Sequence, residues 1–205
     1  MKLIYKYGVM GAGKSLQVLA TAHNFQEHKI PFLLFKSSID NRDGENVIHS
    51  RALGDRECIS ISPTDDLFSI IYRYQEHVTN SLGNDELLKW IIVDECQFLT
   101  EKQVDQLVEV ADRLNVNVLC YGLKGDFRTK LFPASKRLFE VADCIEEIKS
   151  ACYCGKKAMF NARVDKDGNI ITEGNQIEVG GDDRYVALCR KCYYERLKNN
   201  NLTSD

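Results

Sequence analysis

The chain has 205 residues, 44% of them hydrophobic and 28% charged, with a formal net charge of −3. This is the composition of a soluble globular protein with room for one sizeable α/β domain and a small addition. It offers no bulk positive charge for gripping nucleic acid, and no apolar run long enough for a membrane span or a secretory leader.

The first element is a short strand at Leu3-Ile4-Tyr5, followed by GVMGAGKS at residues 8–15. Apolar positions Leu16, Leu19, Ala20 and Ala22 then suit one face of a helix. Strand, glycine-rich loop and helix N-terminus form the phosphate-loop arrangement. Glycines let successive N–H groups turn inward around phosphate. Lys14 supplies charge to the β and γ phosphates, and Ser15 offers a hydroxyl to Mg²⁺. The octet Gly8, Val9, Met10, Gly11, Ala12, Gly13, Lys14 and Ser15 is therefore the expected ATP-phosphate cradle.

Pro31 to Phe35 reads as a second strand, residues 37–57 as a polar loop, and Ile59 to Ile61 as a third strand. Thr64-Asp65-Asp66 can cap a helix running to about His77, with residues 79–87 as a connection. Trp90 to Val93 is wholly apolar, as expected of a strand covered on both faces. Asp94 at its end is placed to hold the Mg²⁺ shell, and Glu95 beside it is a candidate general base. Thr100 starts a helix with Val104, Leu107, Val108, Ala111 and Leu114 along one side. Val116 to Tyr121 is a strand, residues 122–136 are irregular, Leu138 to Val141 is a short helix, and Cys144 to Ile148 is a last strand. Alternation of this kind implies a mostly parallel sheet with helices on both faces, an α/β phosphate-loop NTPase fold of RecA-like type.

The tail is different. Cys152-x-Cys154 and Cys189-x-x-Cys192 make two knuckles. A chain that uses ATP works in a reducing cytoplasm, so four paired thiols point to a closed, structural Zn²⁺ site. Cys58, Cys96, Cys120 and Cys144 read as buried, reduced thiols. Ala158 to Val164 is a strand, Asp165 to Gly168 a turn, and Ile170-Ile171 the start of a return strand. Residues 174–184 form a glycine-rich loop, a short helix starts near Lys191, and residues 199–205 are frayed. This divides the chain into a nucleotide-binding domain, 1–149, and a zinc-binding lasso domain, 150–205.

GVMGAGKS, DECQF, YGLKGDFRTKLF and VGGDDRYVALCRKCY, in this order, resemble the type II thymidine kinases over nearly the whole chain. The resemblance implies ATP-dependent phosphorylation of the thymidine 5′-hydroxyl, with Mg²⁺ and a structural zinc. Glu95 would be the base. Asp94, Glu95, Cys96, Gln97, Asp40 and Arg42 would join the phosphate loop on the donor side. Met10, Phe98, Leu123, Phe127, Phe132, Gln176, Ile177, Glu178, Val179, Gly180, Gly181 and Tyr185 would hold the nucleoside, and Arg163 would help position the lasso. It also implies a cytoplasmic homotetramer with dTTP as feedback inhibitor, and neither nucleic acid nor membrane as partner. Val9 replaces the family's usual Pro, Lys124 stands where many members carry Asp, and the first knuckle has one spacer residue rather than two. Two other readings share parts of this pattern. A nucleic-acid-dependent ATPase shares the loop and the Asp-Glu pair, but a single short α/β core without a second motor domain argues against it. A nucleotide-switched binding module would leave the lasso signature unexplained.

Overall fold

The structure is a computed structural model, and it describes residues 1–40, 44–50, 52–82, 87–176 and 184–202. In chain order the elements are β1 (Leu3–Gly8), α1 (Lys14–Glu27), β2 (Phe32–Ser37), β3 (Val47–Ser50), β4 (Gly54–Glu57), β5 (Ile59–Ile61), α2 (Leu67–Leu82) and β6 (Trp90–Asp94). They continue with α3 (Glu101–Arg113), β7 (Asn117–Gly122), α4 (Pro133–Val141), β8 (Cys144–Ile148), β9 (Phe160–Arg163), β10 (Tyr185–Leu188) and α5 (Arg190–Leu202).

Six strands form one parallel sheet in the order β5-β2-β6-β7-β1-β8. Alternate side chains leave opposite faces. Leu3, Tyr5, Ile91, Val93, Val118 and Cys120 pack with α2, α3 and α4. Ile92, Leu119 and Tyr121 pack on the other face with Val18, Leu19 and Ala22 of α1. Both faces are covered, which is why β6 reads as an unbroken apolar run. Since all six strands run the same way, every loop at their C-terminal ends opens on one edge. The loops after β1, β2, β6 and β7 therefore meet there.

Local chemistry sets the helix starts. The Thr100 hydroxyl accepts from Gln103 N–H (3.1 Å), and the Gln103 side-chain oxygen accepts from Thr100 N–H (3.0 Å), a complete capping box for α3. The Gln103 amide also donates to the Ser62 carbonyl, fixing α3 against the chain leading into α2. Asp66 accepts from Ser69 N–H ahead of α2, as the capping triplet anticipated.

Several expectations need correction. The stretch 37–57 is not one loop: β3 and β4 pair as a hairpin, with buried Ile48 packed in the α1 layer. Two adjacent apolar residues, Val47 and Ile48, are too weak a strand signal among polar neighbours. Helix α1 begins at Lys14; its sheet face is Val18, Leu19 and Ala22, while Leu16 and Ala20 face outward. Helix α2 runs on through residues 79–82, and α4 starts at Pro133, whose fixed φ suits a first helical turn. Cys58 and Cys144 are half-buried; Cys96 and Cys120 are fully buried. Ile170 contributes a single bridge to Val164. The strand that pairs with β9 is β10, antiparallel, with Leu188 opposite Phe160. Helix α5 continues to Leu202 through part of the tail read as frayed.

A second apolar cluster surrounds β9 and β10. It includes Cys152, Ala162, Ile170, Leu188 and Tyr193, and also Val9 from the loop after β1. Among the described residues no helix is long and apolar enough to cross a membrane.

Candidate active site

The loop after β1 turns on two left-handed glycines, Gly11 (φ 71°) and Gly13 (φ 82°), a conformation that costs other residues about 1–2 kcal/mol. Gly8 allows the loop to approach β8: a Cβ there would lie 2.9 Å from the Ile148 carbonyl oxygen. Lys14 is buried and its ammonium donates to the Val9 carbonyl (3.1 Å), while the Ala12 N–H donates to the same oxygen (3.2 Å). The loop thus closes on its own lysine. Ser15 follows at the start of α1, and its hydroxyl hydrogen-bonds the Asp94 carboxylate.

Asp94 ends β6 and is 2% exposed. One of its oxygens accepts from the Glu95 N–H (2.9 Å). Burial, reinforced by the Glu95 carboxylate, pushes its carboxyl up to about 7, against the weaker opposing pull of the Glu95 N–H, Lys14 and Ser15. A buried carboxylate and a hydroxyl side by side form a hard oxygen donor set, which fits Mg²⁺. Glu95 itself sits in the left-handed region (φ 52°), where the chain leaves the strand for the tight turn Cys96–Phe98. A non-glycine residue held in this conformation is strained, which singles Glu95 out beside the Asp94 carboxylate.

Gln97 holds Glu95 in place. Its amide donates to the Glu95 carboxylate, and its carbonyl oxygen accepts from the Leu123 N–H (2.9 Å). Gly122 makes room for this: a Cβ there would lie 2.6 Å from the Cys96 sulfur and 2.7 Å from the Gln97 oxygen. The Leu123 carbonyl accepts from the Tyr5 hydroxyl (3.0 Å) and the Ser135 hydroxyl (2.6 Å). One peptide segment is therefore fixed from β1, α4 and the turn after β6.

Of the expected pocket residues, Leu123, Phe127 and Phe132 are buried, and Met10, Phe98 and Tyr185 are half-buried. The Phe98 and Phe132 rings meet edge to face at 6.0 Å. Phe127 is covered by the Arg163 guanidinium, 5.4 Å from its ring centre, and its carbonyl accepts from the Tyr193 hydroxyl (2.9 Å). Gln176 donates to Asp126 (3.1 Å), whose carboxylate also accepts from Arg128 and Lys130 N–H groups. Asp40 is buried, 4.0 Å from the ammonium of buried Lys36 on β2. Arg42 and Ile177, Glu178, Val179, Gly180 and Gly181 lie outside the described residues.

Three of these anchors were not anticipated. Asp126, Ser135 and Asn161 carry no sequence signal of their own. Asn161, 5% exposed on β9, accepts from Met10 N–H (2.7 Å) and donates to the Gly125 carbonyl (3.2 Å).

Cys152, Cys154, Cys189 and Cys192 converge with their sulfurs all within 4.8 Å of one another. A tetrahedral zinc with bonds of about 2.3 Å spaces its sulfurs by about 3.8 Å. Cys154 and Cys189 are 3.7 Å apart, so the set fits the metal. Four sulfurs would leave a zinc held there no open position for substrate.

The profile of the family described as thymidine kinase matches residues 1–193. The chain belongs to the thymidine kinase family. It is 42% identical over 198 residues to a thymidine kinase of Zymomonas mobilis, covering 97% of this chain and 98% of that one. It is 39% identical over 196 residues to one from Photobacterium profundum (96% and 98%), and 41% over 194 residues to one from Agrobacterium fabrum (95% and 96%).

Proposed function

We propose that this kinase transfers the γ-phosphoryl group of Mg·ATP to the 5′-hydroxyl of thymidine, giving dTMP and ADP. The observation that carries the reading is the hydrogen-bonded line from Ser15 and Asp94 through Glu95 and Gln97 to Leu123. It joins a phosphate loop to an aromatic-walled segment at one sheet edge.

In this reading the loop N–H groups and Lys14 receive the donor phosphates, with the Lys14 ammonium exchanging the Val9 carbonyl for phosphate oxygens. Ser15 and Asp94 would hold Mg²⁺, which supplies charge neutralisation on the phosphates. Glu95 accepts the 5′-hydroxyl proton as that oxygen bonds the γ-phosphorus and the bond to the β-phosphate oxygen breaks. Gln97 keeps the Glu95 carboxylate aimed while its other end fixes Leu123, so base and nucleoside wall share one rigid support. Met10, Phe98, Phe127, Phe132 and Tyr185 wall the nucleoside. The segment after Gln176 reads the base, and Asp40 and Arg42 border the phosphates. Residues 150–205 act as the lasso, held by zinc on the four cysteines. The reading extends, on family resemblance, to a cytoplasmic homotetramer with dTTP feedback.

The test is ADP and dTMP production by purified protein with Mg·ATP, with and without thymidine or single-stranded DNA. Strict thymidine dependence with one dTMP per ADP is expected. Glu95→Gln should lower the rate by roughly 10²–10⁴, the usual worth of a general base. ADP release stimulated by DNA and indifferent to thymidine, or a near-wild-type Glu95→Gln rate, would refute it.

A further inference from the structure

The Val9–Met10 peptide unit is held at both ends. Its carbonyl accepts from the Lys14 ammonium (3.1 Å), and its N–H donates to the Asn161 side chain (2.7 Å). Lys14 and Asn161 come from opposite parts of the molecule, one from the phosphate loop and the other from β9 beside the four-cysteine site. The Asn161 amide is itself pinned, because its NH₂ group donates to the Gly125 carbonyl on the segment between Leu123 and Phe132. Asn161 is 5% exposed, so water does not compete for these bonds. Next to it Val9, 7% exposed, packs into the apolar cluster of β9 and β10.

These contacts decide which way one peptide of the loop faces. With its N–H committed to Asn161, the Val9–Met10 unit presents its carbonyl to Lys14. That stations the ammonium inside the loop before a phosphate arrives. If the peptide turned, the carbonyl would leave Lys14, and the Met10 N–H would lose a partner in a part-buried site.

We propose that Asn161 is a positioning residue for the phosphate donor: the β9 module uses it to fix the phosphate loop and to tie that loop to the nucleoside-side segment at Gly125. This rests on the reading of residues 8–15 as the ATP-phosphate cradle. The side chain touches the loop backbone and acts through Lys14 and the loop N–H groups.

Asn161→Leu keeps the number and branching of the side-chain heavy atoms and removes both hydrogen bonds, leaving the Met10 N–H unsatisfied. The Mg·ATP Kd should rise about 5- to 50-fold, the range expected when one buried partner is deleted. The thymidine Kd should change less than about threefold, and zinc content should stay at one per chain. Ile170→Ala, which opens a cavity in the same cluster while leaving both Asn161 hydrogen bonds in place, is the control. It should lower Tm with no split between the two ligands. Should Leu prevent folding, Asn161→Ser reads the same split. Equal loss of both ligands, or unchanged ATP affinity in the folded, zinc-loaded variant, would overturn the proposal. Failure of the wild-type protein to bind Mg·ATP would instead sink the phosphate-cradle reading itself.

Discussion

Asp94 is a carboxylate that its own fold disfavours. Burial and the neighbouring Glu95 raise it from 3.8 to about 7. A raised acid binds its proton more tightly in the folded chain than in the unfolded one. The ligand-free protein therefore loses stability as pH climbs from about 4 to about 7, and the loss is complete above that. At about 1.4 kcal/mol per pKa unit, the penalty is under about 1 kcal/mol at pH 4 and about 4 kcal/mol at pH 8. Asp94→Asn removes the charge but keeps an oxygen to accept the Glu95 N–H. Its NH₂ group has the Ser15 hydroxyl as acceptor. The variant should thus be inactive yet more stable than wild type at pH 8, by roughly 8–16 °C in Tm for a chain of this size. The advantage should shrink steadily toward pH 4. Saturating Mg·ATP should narrow the gap at pH 8, because the metal favours the ionised carboxylate only in the wild type. The assay is thermal unfolding across pH 4–8 with and without Mg·ATP. A variant no more stable than wild type at pH 8, or a gap independent of pH, would refute the reasoning.

Gln97→Leu should lower kcat by about 10- to 100-fold with a smaller change in ATP KM. It removes the Gln97 hydrogen bond to the Glu95 carboxylate and leaves the Leu123 N–H without its Gln97 acceptor; steady-state kinetics with each substrate varied checks this. Gly122→Ala should destabilise by about 1–3 kcal/mol in urea unfolding, since the new methyl would sit 2.6 Å from the Cys96 sulfur. Stripping zinc with a chelator should make residues around β9, β10 and α5 susceptible to limited proteolysis, and activity should fall in step with metal content. Readdition of Zn²⁺ should restore both if reducing agent is kept present.

The parts of the site legible in the sequence are those built from local strings. GVMGAGKS, the Asp94-Glu95 pair after an apolar strand, and the two cysteine knuckles each carry their chemistry in adjacent residues, and the structure brings each set together. What could not be read is tertiary pairing. Asn161 is an ordinary residue in a strand until Met10, 151 positions away, lies across from it. Asp126 reads as part of a loop, yet it gathers Arg128, Lys130 and Gln176. The β3–β4 hairpin escapes the sequence because its buried residues are Ile48 and Ser50, and a single buried apolar side chain is too little for a period to register. Leu16 reads as inward because Leu16, Leu19 and Ala20 share helical spacing, yet the buried stripe runs through Val18, Leu19 and Ala22 and leaves Leu16 and Ala20 on the outer side.

Val9 belongs to the first strand's loop by sequence but to the cysteine module's core by packing. A cut between residues 149 and 150 would therefore not release two finished parts. The N-terminal fragment would carry a phosphate loop with a bare valine and an unanswered Met10 amide. The C-terminal fragment would have a gap where Val9 had been. Packing of Val9 and the Met10–Asn161 hydrogen bond both cross that point in the chain, and chimeras that exchange the tail between relatives must carry a matching residue at position 9.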